Sequence, residues 1–129
     1  MAAGPWPGRV VLDRDFDSAV ADLQQCLTLR PNSPNLMTDL ASAYFGRAEA
    51  HQAPPDYNTA IDFLNQALKM TPDDPIALFN RAIVYERMGL YGQAIEDWRH
   101  YLRVDSNSKW TAEARQRLAD VGQARTKTR

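Results

Sequence analysis

Few residues of this chain have types and spacings that could carry out covalent chemistry. His51 and His100 are its two histidines and Cys26 is its single cysteine. His51 sits in a Pro-containing stretch, and His100 stands two residues after Trp98, on a different face of any helix that carries both. Neither has a second His, Cys or carboxylate at a recurrent ligand spacing. The run Asp13-Arg14-Asp15-Phe16-Asp17 resembles a calcium loop at first sight, but Ser18 replaces the turn glycine and the twelfth position is Gln24, where the loop needs Glu. Those carboxylates suit a helix start, where unpaired N–H groups leave a partial positive charge. There is no Gly-x-Ser-x-Gly, no phosphate-binding glycine-rich loop and no pair of carboxylates in a plausible cleft. The expectation is therefore no enzyme activity, no cofactor and no metal, which leaves recognition as the chemistry to look for.

The bulk numbers narrow the partners. The chain has 129 residues, the length of one domain, a formal net charge of -1 and 24% charged residues. That balance gives no electrostatic case for nucleic acid or an anionic membrane, which favour a marked basic excess. One cysteine excludes an internal disulfide framework. No run of 18 or more apolar residues is present, so no transmembrane helix is expected. The start Met1-Ala2-Ala3-Gly4-Pro5-Trp6-Pro7-Gly8 lacks a basic region followed by an apolar one, so it is not read as a secretory signal. A cytoplasmic location is the expectation.

Recognition requires elements that position side chains, and residues 75–108 show what those elements are. Leu78, Ala82 and Tyr85 share one face of a first helix, and Ala94, Trp98, Tyr101 and Leu102 one face of a second. Gly89 and Gly92 punctuate the pattern between them and allow a reversal. Small residues at Ala82 and Ala94 let the helices approach, while Tyr85 and Trp98 fill the space beside them. Such a hairpin cannot bury its apolar faces alone, and copies of it exist. Phe16, Tyr57 and Tyr91 each open a segment in which Ala follows three residues later (Ala19, Ala60, Ala94). A large apolar residue comes next (Leu23, Leu64, Trp98), and then a leucine (Leu27, Leu68, Leu102). The opening aromatics are 41 and 34 residues apart.

A helix–turn–helix unit of about 34 residues is the signature of the tetratricopeptide repeat, and residues 75–108 resemble that repeat at almost every signature position. Leu78 stands where the family often has Trp, followed by Ala82, Tyr85, Gly89, Tyr91 and Ala94, with Trp98 at the Phe position. Tyr101 replaces the usual Ala and Ser106 the closing Pro. Residues 34–74 resemble the same repeat through Leu40, Ala41, Tyr44, Tyr57, Ala60, Leu64, Ala67 and Pro72, with seven inserted residues between Tyr44 and Ala60. The resemblance implies an all-α fold of antiparallel hairpins stacked as a short right-handed superhelix of about six helices. Residues 77–90, 98–102 and 108–115 are also similar to repeat regions of large bacterial multidomain proteins, some of which carry a caspase-like protease domain.

Taken in order, residues 1–13 are expected to be a flexible, Pro- and Gly-containing lead. Residues 14–33 form half a repeat, a second helix (about 15–29) without its partner. Its Phe16, Val20 and their neighbours are expected to leave an apolar patch through which the chain could self-associate. Cys26 stands where the other copies have Ala67 and Tyr101, so it is read as a small buried residue of the hairpin interface rather than a nucleophile. In 34–74 the first helix should continue past its normal end into the insertion, and Asp56 is the expected N-cap of a helix over 57–70. After 75–108 comes a capping helix over 109–121 and a disordered basic tail over 122–129.

In stacked hairpins the first helix of each pair lines one wall. The resemblance places a concave binding groove on Asn35, Thr38, Asp39, Ser42, Phe45 and Gly46, then on Ile76, Phe79, Asn80, Ile83, Glu86 and Arg87, with Trp110 and Ala114 from the last helix. Phe45, Phe79, Ile83 and Trp110 interleave with Asp39, Asn80 and Arg87, a pattern suited to a peptide or helix held by a few apolar anchors. The competing reading of each apolar member is packing between repeats. Relatives that grip the carboxylates of chaperone C-terminal tails use Lys, Asn, Asn, Lys and Arg at set positions. Here only Asn80 matches, while Thr38, Ser42, Trp110 and Ala114 stand at the others, so that ligand is not expected. The functional expectation is a non-catalytic scaffold for a protein or peptide partner. The alternative is an array-extending or oligomerising segment of a larger protein whose activity lies elsewhere.

Overall fold

The computed structural model describes residues 15–127, so the lead expected over 1–13 lies outside the described residues. Six helices follow one another: α1 (Phe16–Leu29), α2 (Pro34–His51), α3 (Pro55–Met70), α4 (Pro75–Arg87), α5 (Tyr91–Val104) and α6 (Thr111–Lys127). No strand occurs among the described residues. Each helix packs on its neighbours in the chain, and α2 also touches α4. The protein is therefore an all-α stack of helical hairpins.

Local chemistry sets the starts and stops. Asp15, the residue before α1, accepts hydrogen bonds from the Ser18 N–H (3.1 Å) and hydroxyl (2.9 Å). Ser33 accepts from the Leu36 N–H at 3.2 Å, ahead of Pro34 at the first helical position. Asp74 caps α4 through the Ile76 and Ala77 N–H groups, again just before a proline. The turn from α4 to α5 needs Gly89, whose φ of +75° favours a residue without Cβ.

Two boundaries differ from the sequence reading. Asp56 does not cap α3, because Pro54 and Pro55 are already preset for helical φ and start the helix earlier. Asp56 instead lies in the first turn, where both its oxygens face Arg47. The expected basic tail is helical through Lys127. Val121 is buried, so α6 is anchored beyond its expected end, and Gln123, Ala124 and Arg125 are good helix formers.

The core runs along the whole stack. Leu40, Leu64, Leu78, Phe79, Ile83, Val84 and Trp98 are all essentially inaccessible. The signature alanines Ala41, Ala60, Ala67, Ala82 and Ala94 are fully buried, which lets the helix backbones approach. Two arginines bridge successive hairpins in the same way. Arg47 of α2 reaches forward to Asp56 of α3 with Nε and Nη2 (2.8 and 3.0 Å) and back to Asp17 of α1 with Nη1 (2.8 Å). Arg81 of α4 reaches forward to Asp97 of α5 with Nε and Nη2, and back to Asn65 of α3 with Nη1, each at 2.8 Å. Each guanidinium fork thus joins three helices, with its paired edge on a carboxylate.

Helix α1 corrects two expectations. Val20 is buried and takes no part in the anticipated patch, whereas the half-buried Phe16 ring rests on Gly46 of α2 and Leu29 stays 83% exposed. Cys26 is exposed rather than buried. Its counterparts Ala67 and Tyr101 lie on helices packed from both sides, whereas α1 packs chiefly on α2, so the face bearing Cys26 stays uncovered. The contact at Gly46 is tight: a Cβ there would fall 2.2 Å from Cε1 of Phe16. Gly46→Val should therefore lever α1 away from α2, at about 1–3 kcal/mol of local stability. Hydrogen exchange should show faster amide exchange in Phe16–Leu29 with α4–α6 unchanged. Unchanged protection of α1 would refute the assignment.

Candidate functional site

The side chains expected to line the groove divide by exposure. Thr38 and Ser42 are buried, and the Thr38 hydroxyl donates to the Pro34 carbonyl at 3.0 Å. Phe79, Asn80 and Ile83 are closed off from solvent, at 0%, 0% and 1% exposure. For Phe79 and Ile83 the packing reading is therefore the one the structure supports. Phe79 is the hub of an aromatic cluster, with ring centroids 4.8 Å from Trp98, 5.2 Å from Tyr101 and 5.5 Å from Trp110, all edge-on. Gly46 is covered by Phe16 and does not open onto a groove. Glu86 is tied up as well: it accepts from the Trp98 indole N–H at 2.6 Å and from Arg117 at 3.0 Å. Burial is the main reason its carboxyl titrates above the usual range, against these donors.

What stays accessible falls into two groups. Asp39 and Phe45 are half-buried on α2 and Arg87 is exposed on α4. The Arg87 guanidinium lies 5.9 Å from the Phe45 ring centroid and donates to Glu49 at 3.2 Å. Glu49 also accepts from the Tyr57 hydroxyl. The insertion thus ends the α2–α3 hairpin in a polar cluster of its own. The second group is a hollow of about 190 Å³ lined by Pro75, Ile76, Tyr101, Asp105, Ser108 and Trp110. Ile76 and Trp110, both expected in the groove, meet there, and Ile76 is 41% exposed.

Asp105, Ser108 and Tyr101 were not foreseen as site residues. Asp105 ends α5, and its Oδ2 accepts from the Tyr101 hydroxyl at 2.5 Å and from the Ser108 hydroxyl. These donors, Ser108 first, hold its carboxyl below the ordinary range. Burial, with Asp105 as acceptor, pushes the Tyr101 phenol up to about 12. The one sequence signal was that Tyr101 and Ser106 depart from the repeat pattern at this corner. Asn80 is a separate feature. Among the described residues neither its amide nitrogen nor its oxygen has a hydrogen-bond partner, although the side chain is fully buried.

Residues 48–119 match the family model described as tetratricopeptide repeat. The chain belongs to the tetratricopeptide repeat family. Among curated proteins, the small glutamine-rich tetratricopeptide repeat-containing protein 2 of Mycosarcoma maydis is 32% identical over 69 residues, covering 52% of this chain and 20% of that protein. Superkiller complex protein 3 of Mus musculus is 29% identical over 86 residues, covering 67% of this chain and 5% of that protein. Photosystem I assembly protein Ycf3 of Synechococcus elongatus is 27% identical over 110 residues, covering 74% of this chain and 61% of that one. The chain thus spans less than two thirds of the length of each of these relatives.

Solved tetratricopeptide domains share the architecture. The first such domain of Spaghetti (RPAP3), bound to the HSP90 peptide SRMEEVD, superposes with a TM-score of 0.73 at 23% identity, covering 86% of this chain and 82% of that one. The Arabidopsis OM64 domain gives 0.69 at 19% identity, covering 82% of each chain. At these identities the likeness speaks to fold alone. Within the tetratricopeptide pattern, the large Tyr101 at a position normally held by Ala explains how the aromatic cluster forms. Its ring fills the space beside Phe79, and its hydroxyl is carried out to Asp105.

Proposed function

We propose that this tetratricopeptide chain is a non-catalytic scaffold that holds a peptide or partner-protein segment against the face built from α2, α4 and α6. The observation that carries the reading is the hollow between the starts of α4 and α6, where Ile76 and Trp110 leave apolar surface open beside a fixed carboxylate. Recognition sites for extended or helical peptides combine a few apolar anchors with a small number of placed polar groups. The hollow has that composition. The peptide held by the Spaghetti (RPAP3) domain supports the same use of the fold.

A photo-crosslinking amino acid at position 76 tests the proposal. Ile76 is exposed, so its replacement leaves the core intact. Position 76 should capture a discrete partner in cell extract, whereas the same group at Gln66, exposed on α3, should not. Capture from position 66 alone, or from neither, would rule out this face as the binding wall.

A further inference from the structure

We infer that the hollow at the α4–α6 corner selects a cationic side chain, an arginine or lysine next to an apolar residue in the bound segment. This inference rests on the binding reading above and assigns the charge of what binds. The hollow is smaller than the roughly 300–1,000 Å³ clefts that take a whole small molecule, so it fits one side chain of a longer ligand. Pro75, Ile76 and Trp110 supply its apolar wall. Its polar wall is Asp105, fixed in place by Tyr101 and Ser108 on Oδ2. The Asp105 Oδ1 accepts a long 3.4 Å contact from the Asn107 N–H, which leaves it acceptor capacity. Asp105 also stands at the C-terminal end of α5, where the helix dipole adds negative potential.

The groups that would attract an anion here are already engaged. The N-terminus of α4 borders the hollow, but Asp74 takes the Ile76 and Ala77 N–H groups. The Trp110 N–H goes to the Ser108 hydroxyl at 3.1 Å and the Ser108 N–H to Thr111 Oγ1 at 3.0 Å. Asp73 and Asp74 directly precede the lining residue Pro75, and Asp73 pairs with His100. One cation opposes the inference: exposed Lys109 lies with its Nζ 5.4 Å from the Trp110 ring centroid. It attends the indole, and Asp105, held by Tyr101 and Ser108, remains the fixed charge facing the hollow.

The test uses capped dipeptides, acetyl-Leu-Arg-amide, acetyl-Leu-Gln-amide and acetyl-Leu-Glu-amide, titrated into the full chain and followed by two-dimensional NMR. The arginine dipeptide should shift the Ile76, Asp105 and Ser108 amides and the Trp110 indole saturably. It should bind about fivefold more tightly than the glutamate one. Asp105→Asn, which keeps an acceptor for Tyr101, should abolish that preference, and Lys109→Gln should increase it. Ile76→Ala should weaken all three dipeptides alike. Preference for the glutamate dipeptide, equal binding of all three, no saturable shift, or a preference unchanged in Asp105→Asn would each overturn the inference. A partner captured from position 76 alongside any of these results would sink the charge assignment and leave the scaffold reading standing.

Discussion

Phe79→Ala is expected to cost about 3–5 kcal/mol of folding stability, a large part of the roughly 5–15 kcal/mol that holds a domain together. The ring has no exposed surface and meets Trp98, Tyr101 and Trp110 edge-on, so truncation leaves a cavity bounded by α4, α5 and the connection ahead of α6. Neighbouring rings cannot collapse into it without abandoning their own bonds: the Trp98 N–H is committed to Glu86 and the Tyr101 hydroxyl to Asp105. A urea titration followed by circular dichroism measures the loss directly. A cost below about 1 kcal/mol would mean that the cluster repacks freely. The same result bears on how the groove is probed. Any loss of partner binding in a Phe79 variant would be inseparable from loss of the fold, which is why Ile76 is the better position for functional tests.

Asn80→Leu is expected to act in the opposite direction. Leu is close to Asn in size and removes two buried polar atoms that lack partners among the described residues. A buried donor or acceptor left unpaired costs about 1–3 kcal/mol, so removing both should stabilise the protein by about that amount. Differential scanning calorimetry should show a rise in Tm of several degrees, on the general scale of about 2–8 °C per kcal/mol. A fall in Tm would show that the carboxamide is satisfied in solution by an internal water. A stabilising substitution at this position would also fit the common observation that functional residues are kept at the expense of stability. Partner capture from position 76 in the Asn80→Leu background would then reveal whether Asn80 serves binding.

The hairpins were legible in the sequence because the aromatic–alanine–leucine register is local and periodic: Phe16, Tyr57 and Tyr91 announce three helices directly. The burial of Phe79 and Ile83 was harder to read. The repeat pattern places them on the groove side, but Tyr101 and Trp110, the latter just ahead of α6, close over Phe79, and closure depends on contacts between distant residues. The exposure of Cys26 was hidden for the converse reason, since its counterparts have covering helices and it does not. The hollow was half legible. Ile76 and Trp110 were named from their positions, whereas Asp105 and Ser108 lie in a connection whose hydrogen bonds follow no repeat spacing.

The arginine forks have a consequence for how such a stack can lengthen. Arg81 finds Asn65 behind it and Asp97 ahead. One repeat later, the position of Asn65 is held by Arg99 and that of Arg81 by Arg115, both exposed. A tandem copy of residues 75–108 would therefore bring its own counterpart of Arg81 up against Arg99, cation to cation, where the original joint has an amide. The unit is not complementary to itself. A duplicated repeat would therefore join at this seam without the neutral back contact of the α3–α4 joint, as the α5–α6 joint, which already carries Arg99 and Arg115 exposed at these positions, does now.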